Sequence, residues 1–258
     1  MDDIRYTLVT GASSGIGRAI AVELSKSDNL ILHGRNRLKL EETLKLCKPG
    51  HHMIWTYDLA NVETLQDDFE RFVTENKLVI SKFVHCAGMV YLTAVKTIDL
   101  AAYRRIMDTN ATSAILLTGS LMKRKVAGST IKSIVFISSI AATQATRGKS
   151  LYGASKGVLN SFARASAVEL APKVRINTVC PAAVHTEMAD DVFNDPVAVA
   201  AMNHRHPMGT GKPEDVAGVV AFLLSDAARW ITGSQVMVDG GASCDLTFLP
   251  PSPKQICK

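Results

Sequence analysis

No stretch of this sequence is apolar for long enough to cross a membrane. The unbroken run Val219 to Leu224 is six residues, against the ~20 that a spanning helix needs. No extended run of Lys or Arg marks a nucleic-acid footprint, and 29 basic against 24 acidic residues leave a surplus of only +5. The opening Met1-Asp2-Asp3-Ile4-Arg5 has neither a basic flank nor an apolar run, so no secretory leader is expected. Five cysteines, Cys47, Cys86, Cys180, Cys244 and Cys257, form no C-x-x-C pair and no metal spacing. Such unpaired thiols fit a reduced, cytoplasmic setting. His204 and His206 lack a third ligand at sensible spacing, so no metal site is expected.

What is present is an ordinary globular composition, 47% hydrophobic and 21% charged over 258 residues. Short β-rich runs alternate with helical patterns. Strands are expected at Tyr6–Thr10, Asn29–His33, Met53–Tyr57, Lys82–Cys86, Ser133–Ser138, Arg175–Cys180 and Gln235–Val238. Helices are expected at Gly15–Ser25, Leu38–Leu46, Val62–Asn76, Asp99–Val126, Tyr152–Leu170 and Pro213–Ser225. Seven strands alternating with helices predict a Rossmann-type α/β fold, a doubly wound parallel sheet covered on both faces. No linker divides it, so residues 1–249 read as one dinucleotide-binding domain and 250–258 as a proline-rich tail. The segment 182–212 interrupts the alternation and reads as a substrate loop.

The first strand runs into Thr10-Gly11-Ala12-Ser13-Ser14-Gly15-Ile16-Gly17. Glycines in such a turn let a phosphate approach backbone amides at a helix N-terminus, where the dipole is positive. A purely structural tight turn is the other reading. After the second strand stands His33-Gly34-Arg35-Asn36-Arg37, with two arginines and no acid. An acid there would suit the ribose of NAD, whereas an arginine fork suits the 2′-phosphate of NADP. A solvated helix start is the alternative. Tyr152-Gly153-Ala154-Ser155-Lys156 places a phenol and an ammonium at i and i+4, on one helix face. A nearby cation favours phenolate and makes tyrosine usable as an acid/base. Ser138-Ser139 ends the fifth strand, at the sheet edge where open α/β folds hold ligands, and a hydroxyl there can bond a carbonyl oxygen.

From Tyr6 to Gly241 these residues, with Asp58, Ala87-Gly88, Asn110 and Val238-Asp239-Gly240-Gly241, resemble the short-chain dehydrogenase/reductase family. The resemblance implies Tyr152 as acid/base and Lys156 as the residue that lowers its pKa and binds the nicotinamide ribose. Ser139 would position the substrate carbonyl and Asn110 would anchor a water relay. Asp58 would face the adenine and Thr186 the nicotinamide amide. Cofactor contacts are implied at Gly11, Ser13, Ser14, Gly15, Ile16, Gly17, Gly34, Arg35, Asn36, Asp58, Leu59, Ala87, Gly88, Asn110, Tyr152, Lys156, Pro181, Val184 and Thr186. The chain departs from the family pattern at His85-Cys86, where two asparagines are usual, and at Ala182, where glycine is usual. The missing amides leave the support of the fourth strand open. Cys86 and Cys180 read as small buried hydrophobes.

The expected activity is reduction of a ketone, a 3-oxoacyl thioester among the candidates, to a secondary alcohol with NADPH (EC 1.1.1.-). A sugar, polyol or steroid alcohol dehydrogenase is the alternative. A non-catalytic nucleotide-binding regulator is a third, disfavoured by the complete Asn110, Ser139, Tyr152 and Lys156 set. Small and apolar residues on more than one face of the helices at Asp99–Val126 and Tyr152–Leu170 point to self-association, and the resemblance implies a homotetramer, with a dimer as the fallback.

Overall fold

A computed structural model describes residues 4–127, 130–187 and 193–244. The tail expected at 250–258 lies outside them, as does Met188 of the expected substrate loop. The strands are β1 (Arg5–Thr10), β2 (Asn29–Gly34), β3 (Met53–Thr56), β4 (Val79–His85), β5 (Ser133–Ile137), β6 (Arg175–Pro181) and β7 (Gln235–Val238). They form one sheet in the order β3-β2-β1-β4-β5-β6-β7, and every pairing is parallel. The order reverses between β1 and β4, which opens a crevice at their C-terminal ends.

Alternate residues of each strand pack into different layers. Leu8, Ile31, Ile80, Phe83, Ile134, Phe136 and Ile176 face α3 (Val62–Glu75), α5 (Ser113–Met122) and α7 (Ser150–Leu170). Those helices return Leu65, Phe69, Leu117, Leu121, Leu159 and Ala163 to the same core. Val9, Leu30, Leu32, Val84, Val135 and Val179 face the other way. There they meet Ile20 and Leu24 of α1 (Gly15–Leu24), Leu40 of α2 (Arg37–Leu46), and Val216, Val220 and Leu223 of the last helix, α9 (Pro213–Leu224). Each fully buried side chain of this size contributes about 1.5–3 kcal/mol. No helix among the described residues is long and apolar enough to cross a membrane.

The expected unbroken helix over Asp99–Val126 is corrected. It consists of α4 (Leu100–Met107), a π turn at Asp108–Thr112, α5, and the short α6 (Arg124–Ala127). Asp99 caps α4 by accepting from the Ala102 amide at 2.7 Å. The π turn carries Asn110, fully buried, at its middle. A wider turn of this kind often marks a functional position in a helix. Lys123, in extended conformation, ends α5, and its Nζ reaches Glu70 Oε1 at 2.6 Å. The 182–212 segment contains a helix not expected from periodicity, α8 (Pro196–Arg205), opened by the Asp195 cap and a proline in the first turn. Its apolar residues lack a core-facing stripe, which is why the pattern gave no sign of it.

Two histidines sit in the sheet itself. His33 and His85 flank Thr10 across the register of β2, β1 and β4, on the Phe83 side. Burial pushes both down to about 3. For His85 the Lys156 ammonium and His33 add to the effect, while the Asn110 carbonyl opposes it. The folded protein therefore keeps both rings neutral while the unfolded chain takes up protons below its ordinary value of 6.5. Stability should be level above that pH and fall as pH drops from about 6.5 toward 3, by about 2 kcal/mol per histidine between pH 7 and pH 5. Urea unfolding at the two pH values measures the loss. His33→Phe should remove about half of it, and an undiminished loss would show that other groups are responsible.

Candidate active site

The C-terminal ends of β1, β4, β5 and β6 converge on one crevice. At β1 the chain turns at Gly11, whose φ is +70°, and again at Gly15, with φ +51°. A Cβ on Gly11 would lie 2.7 Å from the Ala87 amide nitrogen, and one on Gly17 would fall on the Gly11 carbonyl. The turn therefore packs directly onto the loop after β4. Ser14 precedes α1 without a side-chain cap, which leaves the first-turn amides of that helix facing the crevice. Arg18 holds the turn from behind, donating to the Ser13 carbonyl at 2.7 Å and to Thr43 Oγ1 at 3.1 Å. Thr43 Oγ1 in turn donates to the Ala12 carbonyl at 2.9 Å.

Loss of the two asparagines after β4 is made good by Thr10. Its Oγ1 accepts from the Cys86 amide at 3.2 Å and the Ala87 amide at 3.3 Å, and lies 3.1 Å from His85 Nδ1. Two accepted bonds leave the hydroxyl proton for Nδ1, so neutral His85 carries its own proton on Nε2. The fourth strand is thus supported from β1.

At the end of β2, Gly34 lets the chain pass close to Ser13 and Leu40. The two arginines that follow are not equivalent. Arg37 is paired with Glu41 at 2.9 Å on the helix surface, whereas Arg35 is exposed and has no ion pair among the described residues. Asn36 caps α2 through the Lys39 amide. Asp58 accepts from the Ala60 amide at 3.1 Å, and the Leu59 side chain is buried in the core, so only the Leu59 backbone can face the crevice.

The densest chemistry lies between β4, β5 and α7. Lys156 is buried, and its Nζ donates to the Ile137 carbonyl at 2.8 Å. Burial lowers its pKa to about 8, partly offset by the sulfurs of Cys86 and Cys180. The Tyr152 phenol is raised by burial, and the nearby Ser139 hydroxyl acts against that rise. Lys156 Nζ stands 5.9 Å from the Tyr152 ring centre. Tyr152 is therefore raised, not lowered as expected from the lysine, because desolvation dominates and the ammonium is turned to Ile137. Of the two serines after β5, Ser138 is buried and donates to the Lys156 carbonyl at 3.0 Å. Ser139 is the one beside Tyr152, and it accepts from the Ala141 amide at 3.1 Å. Cys86 is pushed up to about 12 by burial and Cys180 is also raised, as inert packing thiols would be.

Asn110 points its amide at the backbone of Met89, which lies just beyond Gly88. A Cβ on Gly88 would sit 3.2 Å from Lys156 Nζ and 3.3 Å from Asn110 Oδ1. After β6, Val184 bridges to Gly211, and Thr186 lies against Gly15, 3.1 Å from where a Cβ would stand. Glu187 reaches across to Lys39 of α2 at 2.9 Å, and that lysine holds its carboxyl below the usual range. This strap, the Arg18 brace and the Thr10 hub have no motif in the sequence. Only Thr10, as the residue before Gly11, stood near one. Among the described residues no group of three His, Cys, Asp or Glu could hold a metal ion.

An anionic dinucleotide fits this crevice, because a glycine turn and helix amides without a side-chain cap meet there, with an exposed arginine, free of ion pairs among the described residues, at the end of β2. A family model described as enoyl-(acyl carrier protein) reductase matches residues 11–243. The chain is 32% identical over 246 residues to D-erythrulose reductase of Gallus gallus, covering 92% of this chain and 95% of that one. It is 32% identical over 240 residues to the 3-oxoacyl-[acyl-carrier-protein] reductase of Rickettsia conorii, covering 92% and 96%. A protein of Agrobacterium tumefaciens assigned as a 2-deoxy-D-gluconate 3-dehydrogenase, solved with bound NADP, superposes with a TM-score of 0.85 at 26% identity. That match covers 95% of this chain and 98% of the other. The chain belongs to the short-chain dehydrogenase/reductase family, and it is an oxidoreductase of that family.

Proposed function

We propose that this enzyme reduces a ketone to a secondary alcohol with NADPH. The observation that carries the reading is the juxtaposition of half-buried Tyr152 and Ser139 with buried Lys156, whose Nζ lies against Gly88. Gly11, Ser13, Ser14, Gly15, Ile16 and Gly17 would hold the pyrophosphate, and Gly34, Arg35, Asn36, Asp58 and Leu59 the adenosine end. Ala87, Gly88, Pro181, Val184 and Thr186 would line the nicotinamide end. When bound, the nicotinamide supplies the hydride. Ser139 holds the substrate carbonyl oxygen, and Tyr152 delivers the proton that the oxygen needs as charge develops on it. Lys156 keeps a positive charge next to Tyr152 and fixes its helix turn against Ile137. The segment 182–212 serves as the substrate loop of a single domain. The free thiols of Cys47, Cys86, Cys180 and Cys244 suit the cytoplasm.

A 3-oxoacyl thioester is one substrate class in keeping with the Rickettsia relative. A sugar or polyol is the second, favoured by the D-erythrulose reductase relative. A panel of both, with cofactor oxidation followed by absorbance, separates them. Tyr152→Phe should lower turnover by about 10²–10⁴-fold while cofactor binding stays nearly intact. A variant that turned over its best ketone at a comparable rate would remove Tyr152 from the proton-donor role.

Arg35 carries the cofactor preference, since Arg37 is already committed to Glu41. Arg35→Ala should weaken NADPH binding by about 1.5–3 kcal/mol, the worth of a charged hydrogen bond, and leave NADH nearly unaffected. Binding titrations with both cofactors decide it, and equal affinity of the unaltered protein for NADH would refute the preference.

We also propose a homotetramer, with a dimer as the smaller form. On α7, Leu159, Ala163 and Ala167 are buried, but Val168 is 82% exposed, and Leu100 and Tyr103 of α4 are exposed too. Light scattering at micromolar concentration should give a multiple of 27.8 kDa. The monomer mass alone would rule assembly out.

A further inference from the structure

Neither Asn110 nor Ser155 has measurable exposure, and between them every amide hydrogen of Asn110 is used. Oδ1 accepts from the Met89 amide at 2.8 Å. Nδ2 donates to the Met89 carbonyl at 2.9 Å and to Ser155 Oγ at 3.0 Å. A carboxamide has two donor hydrogens, so none remains for a substrate or a relay water. Its side chain is a bracket on the loop after β4. The bracket closes on Ser155, whose own hydroxyl hydrogen goes to the Tyr152 carbonyl at 2.8 Å.

We propose that Ser155 is a positioning residue for the proton-transfer pair, coupling the loop at Met89 to the helix turn that carries Tyr152 and Lys156. The proposal rests on the reading of those two residues as that pair. A helix serine that only back-bonds to the residue three before it would be a local feature. Ser155 differs because the same oxygen takes a hydrogen from a residue 45 positions earlier, in the π turn. Four residues from three segments are thereby joined in series: Met89, Asn110, Ser155 and Tyr152. The loop end of that series also touches its far end, because Gly88 lies against both Lys156 Nζ and Asn110 Oδ1.

Without the Ser155 hydroxyl, one Nδ2 hydrogen would face a dry interior. Asn110 then either keeps an unsatisfied buried donor or rotates and lets go of Met89. The rotation relieves the stranded donor, and with it the loop carrying Gly88 shifts against Lys156. A misplacement of reacting groups by about 1 Å is enough to cost about 10²-fold in rate.

The test uses the full-length enzyme, Ser155→Ala, and Ser155→Thr, which keeps the hydroxyl. Ser155→Ala should lower kcat about 10- to 100-fold with the NADPH KM changed less than about 3-fold. It should also displace the pH profile of kcat/KM, because the packing of Gly88 against the Lys156 ammonium changes. Ser155→Thr should restore both. Amide hydrogen exchange at Met89 should be faster in Ser155→Ala than in the unaltered protein, a readout independent of turnover. A Ser155→Ala enzyme with unaltered kcat and pH profile overturns the proposal, even if its melting temperature falls. Unchanged exchange at Met89 overturns it as well. If the unaltered enzyme turns over no carbonyl or alcohol, the proton-transfer reading fails, whereas the Met89 exchange still reports on the Asn110–Ser155 link.

Discussion

The close approach of β1 and β4 at their C-terminal ends is the constraint on which this site depends. Gly11 has no room for a side chain because the Ala87 backbone lies where its Cβ would be. That contact brings the glycine turn against the loop that carries Gly88 and Met89. Thr10 secures the same junction one residue earlier, through a single hydroxyl shared by Cys86, Ala87 and His85. Separating the two strands by even the width of a methyl group would move the glycine turn away from Lys156 and Asn110 together. The position of the glycine turn and the positions of Lys156 and Asn110 are therefore one geometric fact.

Burial sets the electrostatics around that junction. His33, His85, Cys86 and Lys156 are all held toward their neutral forms by desolvation. Lys156 is the one whose shifted value, about 8, leaves it mostly charged near neutral pH. A buried cation is screened less than an exposed one, so it acts more strongly on charge that develops nearby. The Ile137 carbonyl and the thiols of Cys86 and Cys180 are soft partners for it and do not cancel its charge. A carboxylate at either cysteine position would have formed an ion pair and taken that influence away from Tyr152.

The fold was readable in the sequence because its strands are short apolar runs between helices of plain periodicity, and strand ends shifted by no more than a few residues. Motifs with a backbone reason also carried through: Gly11, Gly15 and Gly17 are where side chains cannot fit or φ is positive. The pairing of Tyr152 with Lys156 followed from helical spacing alone. Which of two neighbours is left for the proposed chemistry did not, since Ser138 and Ser139, like Arg35 and Arg37, differ only in their partners. Those partners, the Lys156 carbonyl and Glu41, are known once the chain is folded. The same holds for Leu59, whose side chain serves the core.

The π turn shows a further limit of pattern reading. Residues from Asp99 onward have the composition of one continuous helix, and nothing local marks the widening at Asp108–Thr112. Its support comes from outside the helix, from Met89 on one side and Ser155 on the other. An asparagine in a helix interior has modest propensity and ordinarily turns its amide to water or to its own backbone. Here tertiary partners satisfy the amide completely. The local cost of a wider turn is then offset by three hydrogen bonds, one buried and two part-buried, that a regular helix would not direct to the same place. Helix geometry at this point is consequently set by the loop after β4 and by α7, which is why the irregularity coincides with the site that those two elements enclose.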